Sequence, residues 1–307
     1  MRIAVMAAGA VGGYFGARMA AAGHDVHFIA RGAHLDAIRK NGLTIESPLG
    51  NLNVKDAKAT DDPAKVGAVD IVLFAVKLWD TEKASEQAKP LIGPGTRVIT
   101  LQNGIDSVER MAPILGDEHV VGGIAHISSV ISAPGVISQN GQFANMHFGR
   151  IDGKPDAKLT AFADAAKAAS VEIRISDSIN RDRWQKFIFL VALSGMTAAT
   201  RSTVGPIMAD PETRAFLRAL MAETFAVGRA KGVALPDGFV EERMKFSENL
   251  PKTIKASMAG DLERGNRLEL DWLAGKVREL GRALNVPTPA SDTVYTVLKL
   301  HRMGTPR

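Results

Sequence analysis

Cysteine is absent from this chain of 307 residues. Disulfide bonds, cysteine metal sites and thiolate nucleophiles are therefore excluded, and a chain without cysteine suits a reducing compartment, so we expect a cytoplasmic protein. The sequence has no run of about 18 apolar residues, which argues against a transmembrane helix. Glycines interrupt the apolar stretch in residues 1–23, which argues against a signal peptide.

Aromatic residues make up only 6% of the chain, and the 38 lysines and arginines are scattered without a run of five. Nucleic-acid-binding surfaces usually combine clustered basic residues with aromatic rings on which bases stack. We therefore expect neither a nucleic-acid partner nor a membrane partner. Histidine and acidic residues also lack the close spacing of metal ligands, so no metal site is predicted. The net charge of +5 suits a small anionic ligand instead.

Apolar strand-like segments alternate with helix-like segments over the first half of the chain. Residues 128–149 contain the turn signals of antiparallel strands, and from about residue 178 onward only helical periodicity is found. The sequence therefore predicts an α/β protein, in which a Rossmann-like, doubly wound, mostly parallel sheet is followed by an all-helical C-terminal domain. The predicted domains are residues 1–177 for cofactor binding and residues 178–307 for substrate binding and catalysis.

A glycine-containing turn joins the first predicted strand to the first helix, as in a dinucleotide-binding βαβ unit. The backbone N–H groups of such a turn and helix N-terminus can bind a pyrophosphate. The three glycine positions of the full fingerprint hold Ala7, Gly9 and Gly12. Alanine at the first position can still make the tight turn if its φ stays negative, but its side chain narrows the space. The residues predicted to contact a cofactor here are Ala7, Ala8, Gly9, Ala10, Val11 and Gly12. The alternative is a plain strand–turn–helix that binds no ligand.

Arg31 ends the second predicted strand, where NAD-specific sites usually place an acidic residue that binds the ribose 2′-hydroxyl. A carboxylate would repel a 2′-phosphate, whereas a guanidinium can bind it through two hydrogen bonds. The sequence therefore favours NADP(H) over NAD(H). The alternative is a solvated surface arginine.

Lys77 and Asn103 each follow a further predicted strand of the sheet. Open α/β sheets bind their ligands at the carboxyl ends of the strands, so both residues are candidates for contact with cofactor or substrate. Taken singly, each is equally consistent with a polar loop.

Lys186 is the only charged residue in residues 184–193. A lysine removed from water has a lowered pKa and can deliver a proton near neutral pH. The alternative is that its ammonium extends to the solvent while its carbon chain stays among apolar neighbours. The pattern does not distinguish the two interpretations.

Glu269 lies between two leucines in residues 262–284, for which we predict one amphipathic helix. On pattern alone, a carboxylate on such a helix is more often solvated than functional. Ser257 lies twelve residues before Glu269 and belongs to the same candidate group.

Together these residues resemble the ketopantoate reductase (2-dehydropantoate 2-reductase) family over about residues 1–300. The residues that carry the resemblance are the turn of residues 7–16, Arg31-Gly32, Val76-Lys77, Gln102-Asn103-Gly104, Trp184 with Lys186, Ser257-Met258 with Asp261, and residues 268–271. The resemblance implies NADPH as cofactor, a small anionic 2-oxoacid as substrate, and a helical domain that completes the cleft. It also implies reduction of 2-dehydropantoate to pantoate in pantothenate biosynthesis, and the family includes homodimers.

The resemblance implies particular roles for five of the residues. Lys186 matches the general acid, and Glu269 and Ser257 match residues that position and bind the substrate. Asn103 matches a contact to substrate and nicotinamide, and Lys77 matches a residue at the cofactor.

Three substrate-binding positions depart from the family pattern. Asparagines are common where this chain has Leu190, Ser194 and Ile254. Their loss removes hydrogen bonds to a hydroxylated acid. One alternative is therefore a reductase of a bulkier or more apolar 2-oxoacid, similar to D-2-hydroxyacid dehydrogenases. Another is an NADP-binding sensor without turnover, which the retention of Lys186 and Glu269 disfavours.

Overall fold

The computed structural model describes residues 1–305 and divides into two units. The first unit comprises Met1–Gln102 and Asp106–Ile179, and the second comprises Asn103–Ile105 and the residues from Asn180 onward. Among the described residues, none of the helices combines the length and hydrophobicity needed to cross a bilayer.

Ten strands form the sheet of the first unit. They are β1 (Arg2–Met6), β2 (Asp25–Ile29), β3 (Leu43–Glu46), β4 (Leu52–Val54), β5 (Lys58–Thr60), β6 (Ile71–Phe74), β7 (Arg97–Thr100), β8 (Val120–Ala133), β9 (Val136–Gly149) and β10 (Glu172–Ile175). The strand order is β4-β3-β9-β8-β7-β6-β1-β2-β5, and β10 pairs with β9. The run from β5 to β8 is parallel throughout. This is the doubly wound order of dinucleotide-binding sheets. Within the parallel run, the early strands β2 and β5 lie on one side of β1 and the later strands, starting with β6, on the other.

The helices of the first unit are α1 (Ala10–Ala21), α2 (Gly32–Asn41), α3 (Thr81–Ala88), α4 (Ser107–Leu115) and α5 (Ala157–Ala168). One apolar core contains Phe15 of α1, Ile38 of α2 and Phe162 of α5, packed with Val5 and other strand residues. A second core contains Phe74 of β6 and Met111 of α4. Alternate residues of β1 enter the two cores, because successive side chains of a strand point to opposite faces. The sheet is thus covered on both faces, as the apolar runs predict.

Two antiparallel pairs lie on one side of the sheet, beyond the parallel run. The predicted turn signals in residues 128–149 correspond to the β8–β9 hairpin, which turns at Pro134 and Gly135. The short hairpin of β3 and β4 is also antiparallel. The mostly parallel sheet and the antiparallel addition confirm the predicted fold class.

Within the described part of the chain, seven α-helices follow the sheet. They are α6 (Ile179–Thr200), α7 (Val204–Ala209), α8 (Pro211–Ala230), α9 (Phe239–Glu248), α10 (Ser257–Glu263), α11 (Ala274–Ala283) and α12 (Pro289–Leu298). Trp184 and Phe187 of α6, Leu217 and Leu220 of α8, and Val294 of α12 lie in one apolar core. Asp210 caps α8 through a hydrogen bond from the backbone N–H of Thr213, and Pro211 occupies the first helical position, a combination that favours helix initiation.

The prediction of one helix over residues 262–284 is wrong. α10 ends at Glu263, and α11 begins at Ala274. Gly265 has a φ of +67°, which takes the chain out of the helix, and the N–H of Leu268 then donates to the carbonyl of Arg302 at 2.9 Å. The partner of Leu268 lies near the far end of the chain, so local periodicity could not indicate the break.

Candidate functional site

The turn after β1 places an alanine in the left-handed region. Ala7 has a φ of +68°, so the condition of a negative φ, under which alanine could make this turn, is not met. A left-handed conformation costs a residue with a Cβ roughly 1–2 kcal/mol. The turn is closed by a hydrogen bond from the N–H of Ala8 to the carbonyl of Ile29 at 2.7 Å. The first fingerprint position therefore needs the geometry that glycine provides, and alanine adopts it under strain.

The glycines that follow serve two different purposes. A Cβ on Gly12 would lie 2.7 Å from the carbonyl oxygen of Ala7, and one on Gly16 would lie 2.5 Å from Val5 Cγ2, so these positions allow α1 to pack closely on β1. A Cβ on Gly9 would meet no atom within 4 Å. Gly9 is the N-cap of α1 and brings no side chain to the first N–H groups of the helix, which have no acceptor within the helix. This geometry fits an anionic pyrophosphate.

Arg31 lies at the carboxyl end of β2 and is the N-cap residue of α2. Its side chain is exposed, and Nη2 donates to the amide oxygen of Gln87 at 2.6 Å. Residues 30–32 contain no carboxylate that would repel a phosphate. A guanidinium beside a helix N-terminus is a favourable place for a phosphate such as the 2′-phosphate of NADPH.

Lys77 lies three residues beyond the end of β6, at the carboxyl ends of the parallel strands, where the turn after β1 also lies. It is exposed, and its Nζ lies 5.6 Å from the centre of the Trp79 ring. The buried Gln102 connects the ends of two strands, because its side chain donates to the carbonyl of Val76 at 3.1 Å and to the hydroxyl of Thr81 at 2.9 Å. Gln102 thereby fixes the backbone on both sides of Lys77.

Lys186 and Asn103 form the central contact of the second unit. Lys186 Nζ donates to Asn103 Oδ1 at 3.0 Å, although the two residues are 83 positions apart. Burial lowers the pKa of Lys186 to about 8, and the negative charge of Glu269 opposes that effect. The ammonium is thus hydrogen-bonded to an amide oxygen at a position largely removed from water.

Arg183 supports this contact and was not singled out from the sequence. It lies one helical turn before Lys186 on α6 and is only 3% exposed. Its Nη2 donates to the carbonyl of Ile105 at 2.8 Å, which holds the segment Asn103–Ile105 against α6. The signal in the sequence is an arginine at the edge of an otherwise apolar stretch, one turn from the candidate lysine.

Glu269 lies in the non-helical segment between α10 and α11, not on a helix surface. It is 7% exposed, and its neighbours Leu268 and Leu270 are buried. The N–H groups of Trp272 and Leu273 both donate to its carbonyl at 3.1 Å, which fixes the backbone that carries the carboxylate. The interpretation of Glu269 as a solvated carboxylate is therefore wrong.

The remaining candidates are placed around α6. Leu190 is half-buried one turn after Lys186, and Ser194 is 1% exposed with no hydrogen-bond partner for its Oγ among residues 1–305. Ser257 is exposed at the first position of α10. The preceding N–H of Ala256 donates to Thr197 Oγ1 at 3.3 Å, so the start of α10 lies beside α6. Lys186 and Asn103 are thus directly hydrogen-bonded, the charge of Glu269 acts on Lys186, and Ser257 begins a helix that lies beside α6.

Two family models match the chain. The model for ketopantoate reductase PanE/ApbA matches residues 3–153, and the model for the C-terminal part of ketopantoate reductase PanE/ApbA matches residues 178–302. A 2-dehydropantoate 2-reductase of Mesorhizobium japonicum is 32% identical over 97% of this chain and 97% of its own length.

Solved structures with the same fold include a PanE/ApbA family ketopantoate reductase from Ralstonia eutropha. It has a TM-score of 0.90 and 32% identity, and the match covers 98% of each chain. D-mandelate dehydrogenase with NADH and anilino(oxo)acetate has a TM-score of 0.88 at 21% identity, over 98% of each chain, and is similar in fold.

Proposed function

The chain belongs to the ketopantoate reductase family, and we propose that it reduces 2-dehydropantoate to pantoate with NADPH. It would thus be an oxidoreductase acting on a CH–OH group. The proposal assigns cofactor binding to residues 1–177 and substrate binding and catalysis to residues 178–307. It also includes a cytoplasmic homodimer, for which light scattering should give twice the chain mass of 32.7 kDa.

The observation that carries the proposal is the desolvated lysine paired with an amide. With a pKa of about 8, Lys186 is protonated in most molecules at pH 7 and can still release its proton readily. A lysine with the usual pKa would be a poorer acid at neutral pH. Its positive charge also stabilises negative charge that develops on the substrate oxygen, which is often the larger contribution to the rate.

The residues proposed to bind the cofactor follow the carboxyl ends of β1, β2, β6 and β7 in the chain. The turn of residues 7–12 would bind the pyrophosphate, Arg31 the 2′-phosphate, and Lys77 and Asn103 would contact the cofactor nearer its reactive end. NADPH, when bound, supplies the hydride that the ketone carbon receives. The observations in favour are the open space at Gly9 and the guanidinium at the N-terminus of α2.

The remaining steps belong to the second unit. Lys186 would donate its proton to the former ketone oxygen, so that a 2-oxoacid, a hydride and a proton give a 2-hydroxyacid. Asn103 would orient the ammonium, to which it is already hydrogen-bonded, and would also contact the substrate. Glu269 would keep Lys186 in its charged form and position the substrate, and Ser257, Leu190 and Ser194 would line the substrate site.

A second candidate is reduction of a bulkier or more apolar 2-oxoacid. Leu190 favours it, because this half-buried apolar side chain lies one turn from Lys186, where a hydroxylated substrate would benefit from a polar group. D-mandelate dehydrogenase, with the same fold, is named for an aromatic hydroxyacid. Binding of NADPH without turnover of any 2-oxoacid would instead indicate a sensor.

A substrate panel tests the proposal, with loss of NADPH absorbance as the readout. The panel contains 2-dehydropantoate, the analogue that lacks only its hydroxyl group, and phenylglyoxylate. We expect kcat/KM to be at least about tenfold higher for 2-dehydropantoate than for the matched analogue, because a site built to bind a hydroxyl rejects a ligand without one. A preference for phenylglyoxylate would favour the second candidate, and no turnover at all would reject both.

A further inference from the structure

His34 connects two loops of the first unit that are far apart in the sequence. It lies in the first turn of α2, three residues after Arg31. Its Nε2 lies 2.9 Å from the carbonyl oxygen of Ala8, in the turn after β1. Its Nδ1 lies 3.0 Å from the N–H of Gly135, in the turn of the β8–β9 hairpin.

These two contacts determine the state of the imidazole. The N–H of Gly135 can only donate, so Nδ1 must accept and carry no proton. Nε2 then carries the proton and donates it to the carbonyl of Ala8. The ring is therefore neutral, and burial lowers the pKa of His34, which is consistent with that state.

The bond to Ala8 fixes the direction of the next peptide N–H. In a planar trans peptide, the carbonyl and the N–H point to opposite sides. Because the Ala8 carbonyl points to His34, the N–H of Gly9 points away from it. The space beside Gly9 is open, so this N–H adjoins the region that fits a pyrophosphate. A free Ala8 carbonyl could rotate toward the same region and repel an anion.

The hairpin also contacts α1 independently of His34. A Cβ on Gly13 would lie 2.4 Å from Ile137 Cδ1 and 3.2 Å from the Ala8 carbonyl oxygen. The start of β9 therefore packs directly on the N-terminal turn of α1. His34 sits at this junction and is carried by the helix whose N-cap is Arg31.

We infer that His34 is a positioning residue for the cofactor. By donating to the Ala8 carbonyl, it keeps that carbonyl turned away from the phosphate-binding space and fixes the position of the turn relative to Arg31. The inference rests on the proposed binding of NADPH at this turn. His34 acts through Ala8 and Gly135 and is not a catalytic residue. Its loss should raise the dissociation constant for NADPH and leave the chemical step unchanged.

The test compares substitutions that are matched in length in the full-length protein. His34→Gln can accept from Gly135 and donate to Ala8, because its amide oxygen and nitrogen have nearly the spacing of the two ring nitrogens. His34→Met has the same reach and neither function. His34→Asn can reach Gly135 but is too short for Ala8. His119→Met is the control. His119 is also a buried histidine that contacts a backbone carbonyl, that of Thr96. It lies immediately before β8, at the amino ends of the strands and away from the cofactor-binding turn.

The readouts are the Kd for NADPH by fluorescence titration and kcat at saturating cofactor. We expect His34→Met and His34→Asn to raise the Kd about tenfold, a change typical of losing a buried hydrogen bond, with kcat within about twofold of wild type. His34→Gln should stay within about threefold of the wild-type Kd, and His119→Met should not change it. If His34→Met does not fold, the comparison of His34→Asn with His34→Gln decides the matter.

Wild-type-like binding by His34→Asn, or binding by His34→Gln as weak as that of His34→Asn, would overturn the inference. A fall in kcat that saturating NADPH does not correct would also overturn it. Failure of the proposed function is distinguishable, because the wild-type protein would then bind no NADPH or would bind it without reducing any 2-oxoacid.

Discussion

At the scale of single residues, the chemistry of Lys186 depends on two opposing influences. Burial disfavours the ammonium and lowers the pKa to about 8, while the charge of Glu269 favours the ammonium. The same carboxylate is buried and belongs to the same unit as Lys186. Small changes at Glu269 should therefore appear in the pH dependence of catalysis.

Glu269→Gln should move the basic limb of the kcat–pH profile to lower pH. The substitution removes the negative charge that raises the pKa of Lys186, so the lysine loses its proton earlier as the pH rises. We expect kcat at pH 8 to fall roughly tenfold relative to wild type. Glu212→Gln, at an exposed position of α8, is the control and should leave the profile unchanged. An unshifted limb in Glu269→Gln would contradict this account of the charge.

Arg31→Ala should weaken NADPH binding far more than NADH binding. A guanidinium that forms hydrogen bonds to the 2′-phosphate contributes to the affinity of NADPH only, and its loss should raise that Kd by about 10–100-fold. Arg39→Ala, at an exposed position near the end of the same helix, should alter neither Kd. Equal effects of Arg31→Ala on both cofactors, measured by titration, would refute the phosphate assignment.

At the scale of elements, the sequence predicts the helices and strands that are determined by their own residues. The β8–β9 hairpin and the helical second half of the chain follow from turn signals and apolar periodicity in their own residues, and the structure confirms both. The short strand β5 and helix α7 carry too few residues for a recognisable period. The break between α10 and α11 depends on the remote partner Arg302. The left-handed Ala7 depends on close packing between a helix and a strand, which composition does not reveal.

Ala7→Gly should stabilise the first unit. Glycine adopts a positive φ without strain, so the relief of about 1–2 kcal/mol exceeds the greater entropy that glycine has in the unfolded chain. We expect the free energy of unfolding to rise by roughly 0.5 kcal/mol in a urea titration. Ala21→Gly, in the last turn of α1, is matched in chemistry and should destabilise instead. A loss of stability in Ala7→Gly would show that the turn is not strained.

At the scale of the whole molecule, the sequence identified most of the candidate residues but not how they combine. The bond between Lys186 and Asn103 spans 83 positions, and no local pattern indicates it. The segment Asn103–Ile105 belongs with the helical unit, which a linear division at residue 177 does not anticipate. Arg183 and His34 act through backbone carbonyls of remote loops, so neither has a sequence motif. Residue types at strand ends are readable from a sequence, whereas the residues that orient them are defined only by the fold.

If Lys186 is the proton donor, as we claim, kcat must depend on pH differently in the wild type and in Lys186→Ala. An acid works only in its protonated form, so kcat for 2-oxoacid reduction should be high below the pKa and fall as the pH rises through about 8. Lys186→Ala should lose about 10²–10⁴-fold in kcat together with that basic limb, whereas the exposed Lys231→Ala should retain both. A loss of less than about tenfold in Lys186→Ala, or an unchanged limb near pH 8, would contradict the claim.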